Sequence, residues 1–314
     1  MSTVIDIAGL HKRYGRRTAL HGLDLQVQPG SVYGLIGPNG AGKTTTLRTL
    51  VDIIRPTSGQ VRVLGEDPRH GGARLRRRIG YVPGELRLEG RVTGARMLTF
   101  YAGVSTPVAH GYVAELAERL GADLSRPVRS LSKGNKQKLG LIQAFMHRPE
   151  LLILDEPTSG LDPLVQREFL TMVREARDAG QTVLLSSHVL SEIQQAADEV
   201  AVLASGRIVA QGDVASLRLG SVRRVRASLE GADAGGAGAA QVRDAFERIP
   251  GVEELQAGPQ ADESVALSAT IEGSIDPFVK ALAQYDVREL TVEEPDLEES
   301  VLRLYGDTSR RTGE

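Results

Sequence analysis

Gly37-Pro38-Asn39-Gly40-Ala41-Gly42-Lys43-Thr44 satisfies the pattern G-x-x-x-x-G-K-[ST] at every specified position. A short apolar run, Val32 to Ile36, precedes it, and a helical pattern from about Lys43 to Ile54 follows. A glycine-rich turn therefore joins a strand to a helix. Glycines let such a turn curl until its N–H groups converge on an anion. The helix N-terminus adds positive potential there. In this setting Lys43 is placed to reach the β- and γ-phosphates of a nucleotide, and the Thr44 hydroxyl to ligate Mg2+.

Working outward, Leu151-Leu152-Ile153-Leu154 is a continuous apolar run of strand length that ends in Asp155 and Glu156. Such a run is expected of a parallel strand buried on both faces. Asp155 is predicted to hold Mg2+, and Glu156, one residue further out, to polarise an attacking water. Thr182–Leu185 and Val200–Leu203 are further strand-like runs, separated by helical stretches at about 164–179 and 191–197. This alternation predicts a mainly parallel sheet with helices on its faces. The opening residues read as antiparallel β structure: Val4 to Ile7, then Ala19 to Val27 before a turn at Pro29-Gly30. Residues 94–147 read as a helical insertion between strands.

Composition agrees with a folded chain and excludes several chemistries. Charged residues make up 25% and the hydrophobic set 41% of 314 residues, an ordinary globular balance. There is no cysteine, so disulfides, thiolate nucleophiles and cysteine-ligated metals are excluded. No 18-residue apolar run predicts a membrane-spanning helix, and the first residues lack the pattern of a signal peptide. The net charge of −2 hides an asymmetry: residues 1–220 carry 28 Lys+Arg against 21 Asp+Glu, and residues 221–314 carry 10 against 19. An acidic second part argues against a general nucleic-acid binder, and no nucleic-acid partner is expected. The arginines at 74, 76, 77 and 78 are read as a solvated helix face.

The last third reads as a second, small α+β domain over 221–314, after a nucleotide-binding domain over 1–220. Val225, Ala227 and Leu229 alternate as in a strand; Gly231 to Gly238 reads as a flexible loop; Val242, Phe246 and Ile249 share a helical face. Val265 to Ile271 alternates again, Asp276-Pro277 reads as an N-cap and N1 pair, and Val287 to Val292 as a last strand. Strand, helix, strand, strand, helix, strand is the ferredoxin-like order. Pro295 is read as opening a short helix with Leu297, Val301 and Leu304 on one face, and the acidic Glu293 to Asp296 as its start.

Over about residues 4–217 the chain resembles the nucleotide-binding subunit of an ATP-binding-cassette (ABC) transporter. Leu131-Ser132-Lys133-Gly134-Asn135-Lys136-Gln137 is similar to the family signature, usually L-S-G-G-Q, and Ser159-Gly160-Leu161-Asp162 to its D-loop. The resemblance makes Gly37 to Thr44 the Walker A loop, with Thr45 among the ATP-contacting residues, and the strand ending at Asp155 the Walker B strand. It makes His188 the switch histidine at the γ-phosphate and Tyr14 the aromatic against adenine. It places Ser132, Lys133, Gly134 and Asn135 against nucleotide held by a second subunit, so a homodimer with two composite sites is implied. Two departures stand out. Lys133 and Asn135 replace the usual Gly and Gln of the signature. Gly84 stands where the family has a glutamine, and either water or Glu85 then takes that side chain's place.

The resemblance implies a Mg-dependent ATPase at the cytoplasmic face of a membrane, powering a separate permease. The Leu-Ser-Lys-Gly signature, the missing glutamine and the acidic segment from Val292 to Glu299 resemble bacterial exporters of the ABC-2 type, a group that includes drug and antibiotic resistance ATPases. Two other classes are compatible: an importer ATPase with a regulatory C-terminal domain, and a non-transport ABC ATPase. Against the latter stand a single cassette and the lack of a long heptad-bearing insertion between Thr44 and Leu131.

Overall fold

In a computed structural model, residues 3–86, 88, 90–214, 222–230, 236–260 and 264–293 are described. They fall into two compact units, one ending at Val214 and one over 222–293. The first runs β1 (Ile5–Tyr14), β2 (Arg17–Val27), β3 (Val32–Ile36), α1 (Lys43–Leu50), β4 (Ser58–Val63), α2 (Pro68–Arg76), β5 (Ile79–Val82), α3 (Gly94–Val104), α4 (Tyr112–Arg119), α5 (Lys133–Phe145), β6 (Leu151–Asp155), α6 (Pro163–Asp178), β7 (Thr182–Ser187), α7 (Leu190–Ala196), β8 (Glu199–Ala204) and β9 (Arg207–Asp213).

The central sheet has six strands in the order β5-β6-β7-β3-β8-β9. The strands from β5 to β8 are parallel, and β9 returns antiparallel along β8. Every residue of β3, β6 and β7 is buried, which is why these strands read as unbroken apolar runs rather than alternating ones. Register then sets the site. Asp155 lies beside Ser186, and Ile36 beside Ser187, so β3, β6 and β7 finish side by side. The residues that follow them emerge at one edge of the sheet, the place where open α/β sheets bind ligands. A three-stranded antiparallel sheet, β2-β1-β4, forms the N-terminal β subdomain. Helices α3, α4 and α5 occupy the expected insertion, and Thr93 and Ser132 cap the first and last of them.

Several boundaries differ from the sequence expectation. The helix read to Ile54 ends at Leu50, because Asp52 turns left-handed (φ 55) and breaks it. Strands β4 and β9 have no unbroken apolar run and were not predicted; their exposed positions dilute the signal. Of the arginines read as a helix face, Arg74 and Arg76 lie on α2, Arg77 is its C-cap and Arg78 follows it; three are paired, Arg74 and Arg78 with Glu66, Arg76 with Asp52, and Arg78 also with Glu150. Such surface pairs add little stability individually.

The second unit runs β10 (Val222–Glu230), α8 (Gly236–Glu247), β11 (Val252–Pro259), β12 (Val265–Glu272), α9 (Asp276–Leu282) and β13 (Asp286–Glu293). Its antiparallel sheet has the order β11-β12-β10-β13, the ferredoxin-like topology. The alternating residues Val225, Ala227, Leu229, Val265, Leu267, Ala269 and Ile271 meet Val242, Phe246, Phe278 and Leu282 in one core. Phe246 lies 4.8 Å from Phe278, centroid to centroid, and both are fully buried. Phe246→Ala is expected to cost this unit about 3–5 kcal/mol. Denaturant unfolding of the full chain reads this as a transition moved to lower denaturant; an unmoved transition would show that Phe246 is not central to the core.

Two local readings are corrected here. Gly236 to Gly238, taken as loop, form the start of α8. At α9 the N-cap is Ile275, so Asp276 and Pro277 each sit one position further into the helix, where Asp276 pairs with Lys280 at 2.7 Å. The boundary expected at 220/221, the glycines before residue 236 and the helix expected at Pro295 lie outside the described residues. Among the described residues, no helix is long and apolar enough to cross a membrane.

Candidate nucleotide site

The loop between β3 and α1 owes its path to glycine. A Cβ at Gly37 would lie 2.3 Å from the Leu203 carbonyl oxygen, so no other residue fits there without moving β8. Gly40 and Gly42 both adopt positive φ (84° and 113°), which L side chains rarely tolerate. Ala41 is buried, and its carbonyl accepts from the Gly206 N–H at 3.0 Å, tying the loop to the β8–β9 turn. Gly42 caps α1 with no side chain, so the helix's first N–H groups are left for a ligand. The loop opens onto a cavity of about 680 Å3 lined by Pro38, Asn39, Gly40, Gly42, Lys43, Thr44 and Thr45, together with Glu156 and Tyr14. This size suits a small-molecule ligand.

Lys43 is 5% exposed, and its ammonium donates to the Gly37 carbonyl at 2.6 Å. It also lies 3.2 Å from Glu156 Oε1, close enough for an ion pair but not aligned as a hydrogen bond. The other Glu156 oxygen is 2.5 Å from His188 Nδ1. Lys43, Glu156 and His188 thus form a chain across the mouth of the phosphate loop. Glu156 itself has φ 48, uncommon for a residue other than glycine. Its N–H donates to the Ser186 hydroxyl (3.1 Å) and carbonyl (3.2 Å). The turn bearing His188 is held by Ser187, whose hydroxyl donates to Glu192 (2.8 Å) and accepts from the Val189 N–H (2.9 Å).

Asp155 is fully buried at the end of β6. The Ser186 hydroxyl donates to one of its oxygens at 2.7 Å, while the other, Oδ2, has no partner. An unpaired buried carboxylate oxygen is costly unless a cation or its water completes it. The Tyr81 phenol is raised by burial first and by the Asp155 charge second. The donor set, one hard carboxylate oxygen and the hydroxyl of Thr44, fits in chemical type a divalent cation that keeps waters and phosphate oxygens as its other ligands. Gly84 lies against this same oxygen: a Cβ there would be 3.0 Å from Asp155 Oδ2. The family departure at Gly84 therefore bears on Asp155 directly.

The signature-like residues lie elsewhere. Ser132 caps α5, accepting from the Asn135 N–H at 3.3 Å. Lys133 donates to the Ser159 hydroxyl at 2.9 Å, and Gly134 packs on Gly160. Asp162 caps α6 through the N–H groups of Leu164 and Val165, both at 3.1 Å. Ser132, Lys133, Gly134, Asn135, Ser159 and Asp162 form a group of their own, and none lines the cavity. Tyr14 is at the rim, 48% exposed, with the Lys12 ammonium 4.9 Å from its ring centre. Arg17, Thr18, His21, Ser205 and Gly206 also line the cavity and were not predicted. For the last two a signal existed, since Ser-Gly between strand patterns is a hairpin turn, and both take positive φ.

The sequence pattern of the ABC transporter family matches residues 20–159. A daunorubicin resistance ATP-binding protein of Streptomyces coeruleorubidus is 34% identical over 314 residues, covering 98% of this chain and 98% of that protein. The chain belongs to the ABC transporter family. A bacitracin transport ATP-binding protein of Bacillus licheniformis is 37% identical over 212 residues, 67% of this chain and 69% of that one. A solved structure described as the ATP-binding subunit of an ABC transporter shares 30% identity and a TM-score of 0.63, over 69% of this chain and 92% of its own. This ABC subunit is therefore an ATP-binding ATPase, homologous to ATP-binding proteins of daunorubicin resistance and bacitracin transport.

Proposed function

We propose that this ABC subunit closes into a homodimer on binding ATP, hydrolyses it with Mg2+, and so powers a separate membrane permease of the ABC-2 exporter type. The observation that carries this reading is the split of the motif set. Lys43, Glu156 and the loop line one cavity, while Ser132 to Asn135 lie outside it in the same chain. A helix start suited to phosphate that does not line its own chain's cavity is, in this reading, completed by a second copy. Residues 1–220 form the nucleotide-binding domain and 221–314 an accessory domain.

In this site the loop N–H groups and Lys43 bind the β- and γ-phosphates, and Tyr14 stacks on the base. Thr44 and Asp155 would hold Mg2+, which when bound neutralises phosphate charge. Glu156 accepts the proton of the attacking water, and His188, bonded to Glu156, orients it and reaches the γ-phosphate. Ser132 and Gly134 offer a hydroxyl and a backbone N–H to the nucleotide of the partner subunit, with the D-loop residues Ser159 and Asp162 beside them. A subunit of this kind sits on the cytoplasmic face of the membrane, held by its permease. The homologous daunorubicin resistance and bacitracin transport proteins favour the exporter direction.

Affinity purification of the tagged chain from detergent-solubilised native membranes, with mass spectrometry of what co-purifies, tests the transport reading. A stoichiometric polytopic membrane protein is the expected companion. Ribosomes, DNA-repair proteins or no companion would move the chain to the non-transport ABC ATPases.

A further inference from the structure

Glu156 holds a backbone conformation that persists only where its surroundings enforce it. Ser186 on β7 enforces it from one side, as described above. The other side belongs to α5. Gln137 is 3% exposed, and its amide Nε2 donates at 2.9 Å to the carbonyl of Pro157, the residue immediately after Glu156. One turn earlier, Lys133 donates to the Ser159 hydroxyl at 2.9 Å, and its stem runs over Gly160. Between them Gly134 meets the Gly160 carbonyl so closely that a Cβ would lie 2.4 Å from its oxygen. Lys133, Gly134 and Gln137 are i, i+1 and i+4 on the first turns of α5, and all bear on the turn from Glu156 to Gly160.

We propose that Gln137 and Lys133 are positioning residues for Glu156. They fasten the start of α5 to the turn that carries the carboxylate, so that a displacement of the helix start moves Glu156. This coupling rests on the reading above, in which Glu156 activates water and the start of α5 faces the partner's nucleotide. Its consequence concerns both sites of the dimer. The nucleotide engaged by Ser132 and Gly134 of one subunit sets the Glu156 of that same subunit, which serves the other nucleotide. The chain's Lys133, where the family has glycine, adds a fastening that a glycine has no atoms to make.

The test is ATP hydrolysis against ATP concentration for the full chain and its Gln137→Leu, Lys133→Ala and Lys133→Arg variants, beside titration with a fluorescent ATP analogue. Gln137→Leu is expected to lower kcat about 10- to 100-fold, the scale of a misplaced catalytic group, with nucleotide affinity within about twofold. Lys133→Ala is expected to lower kcat about 3- to 10-fold and to bring the Hill coefficient toward unity, and Lys133→Arg to restore both. Normal kcat and cooperativity in Gln137→Leu and Lys133→Ala would overturn the proposal. Should Gln137→Leu fail to fold, the Lys133 pair decides alone. Glu156→Gln separates the two levels. If it is inactive while the α5 variants turn over normally, only the positioning role falls; if it is fully active, the reading of Glu156 falls first.

Discussion

Lys43→Ala is expected to weaken ATP binding by at least about 100-fold, close to 2.7 kcal/mol at 25 °C. The cation is nearly buried, fixed on the Gly37 carbonyl at 2.6 Å, and faces Glu156 Oε1 at 3.2 Å. A polyphosphate entering the loop brings several negative charges toward Glu156. With Lys43 present, that repulsion is offset by a charge-assisted contact in a partly desolvated site, where such contacts are strongest. With alanine there, the loop N–H groups remain, but Glu156 is left beside the phosphates with no counter-charge from Lys43. Isothermal titration with ATP, on protein whose far-UV circular dichroism matches the parent, measures the effect. Affinity within a few-fold of the parent would show that the phosphates do not sit where Lys43 points, and the cavity would lose its assignment.

The parts of this molecule that its sequence made legible are those where one physical demand dominates the residue choice. The buried strands β3 and β6 and the middle of β7 admit little but apolar residues, and the phosphate loop needs glycine where φ is positive, at Gly40 and Gly42, and where the backbone is crowded, at Gly37. The ferredoxin-like unit was readable for a similar reason: its alternating strands and its helical face at Val242 and Phe246 meet in one core. What was not legible depends on three-dimensional neighbours. Strands β4 and β9 are half exposed and follow no clean period. Arg17, Thr18 and His21 reach the cavity because the β1–β2 hairpin folds over the loop, which local spacing does not encode. Gly84 read as a missing side chain; only the fold shows it lying on Asp155 Oδ2. The fastening of Gln137 to Pro157 joins residues twenty positions apart and left no local mark.

Glu156→Gln is expected to retain ATP binding, to lower turnover by about 10²- to 10⁴-fold, the range of a lost general base, and to accumulate an ATP-bound dimer. The side chain is nearly isosteric, so its contact with His188 Nδ1 survives in amide form. What disappears is the proton acceptor and one negative charge facing Lys43. Losing that charge relieves repulsion against the phosphates, so affinity for ATP holds or rises while the chemical step stalls. If hydrolysis is what reopens the dimer, a stalled step leaves it closed. Size-exclusion chromatography with and without ATP, set beside single-turnover hydrolysis, separates these effects. A variant that binds ATP, turns over slowly and elutes as a dimer only with ATP agrees with Glu156 as general base. Turnover at the parental rate would remove Glu156 from that role. Slow turnover without dimer would keep the chemistry and remove ATP-driven closure, and with it the composite site formed by Ser132 and Gly134. The Lys43→Ala variant supplies the control, because a chain that cannot hold ATP should not dimerise in its presence.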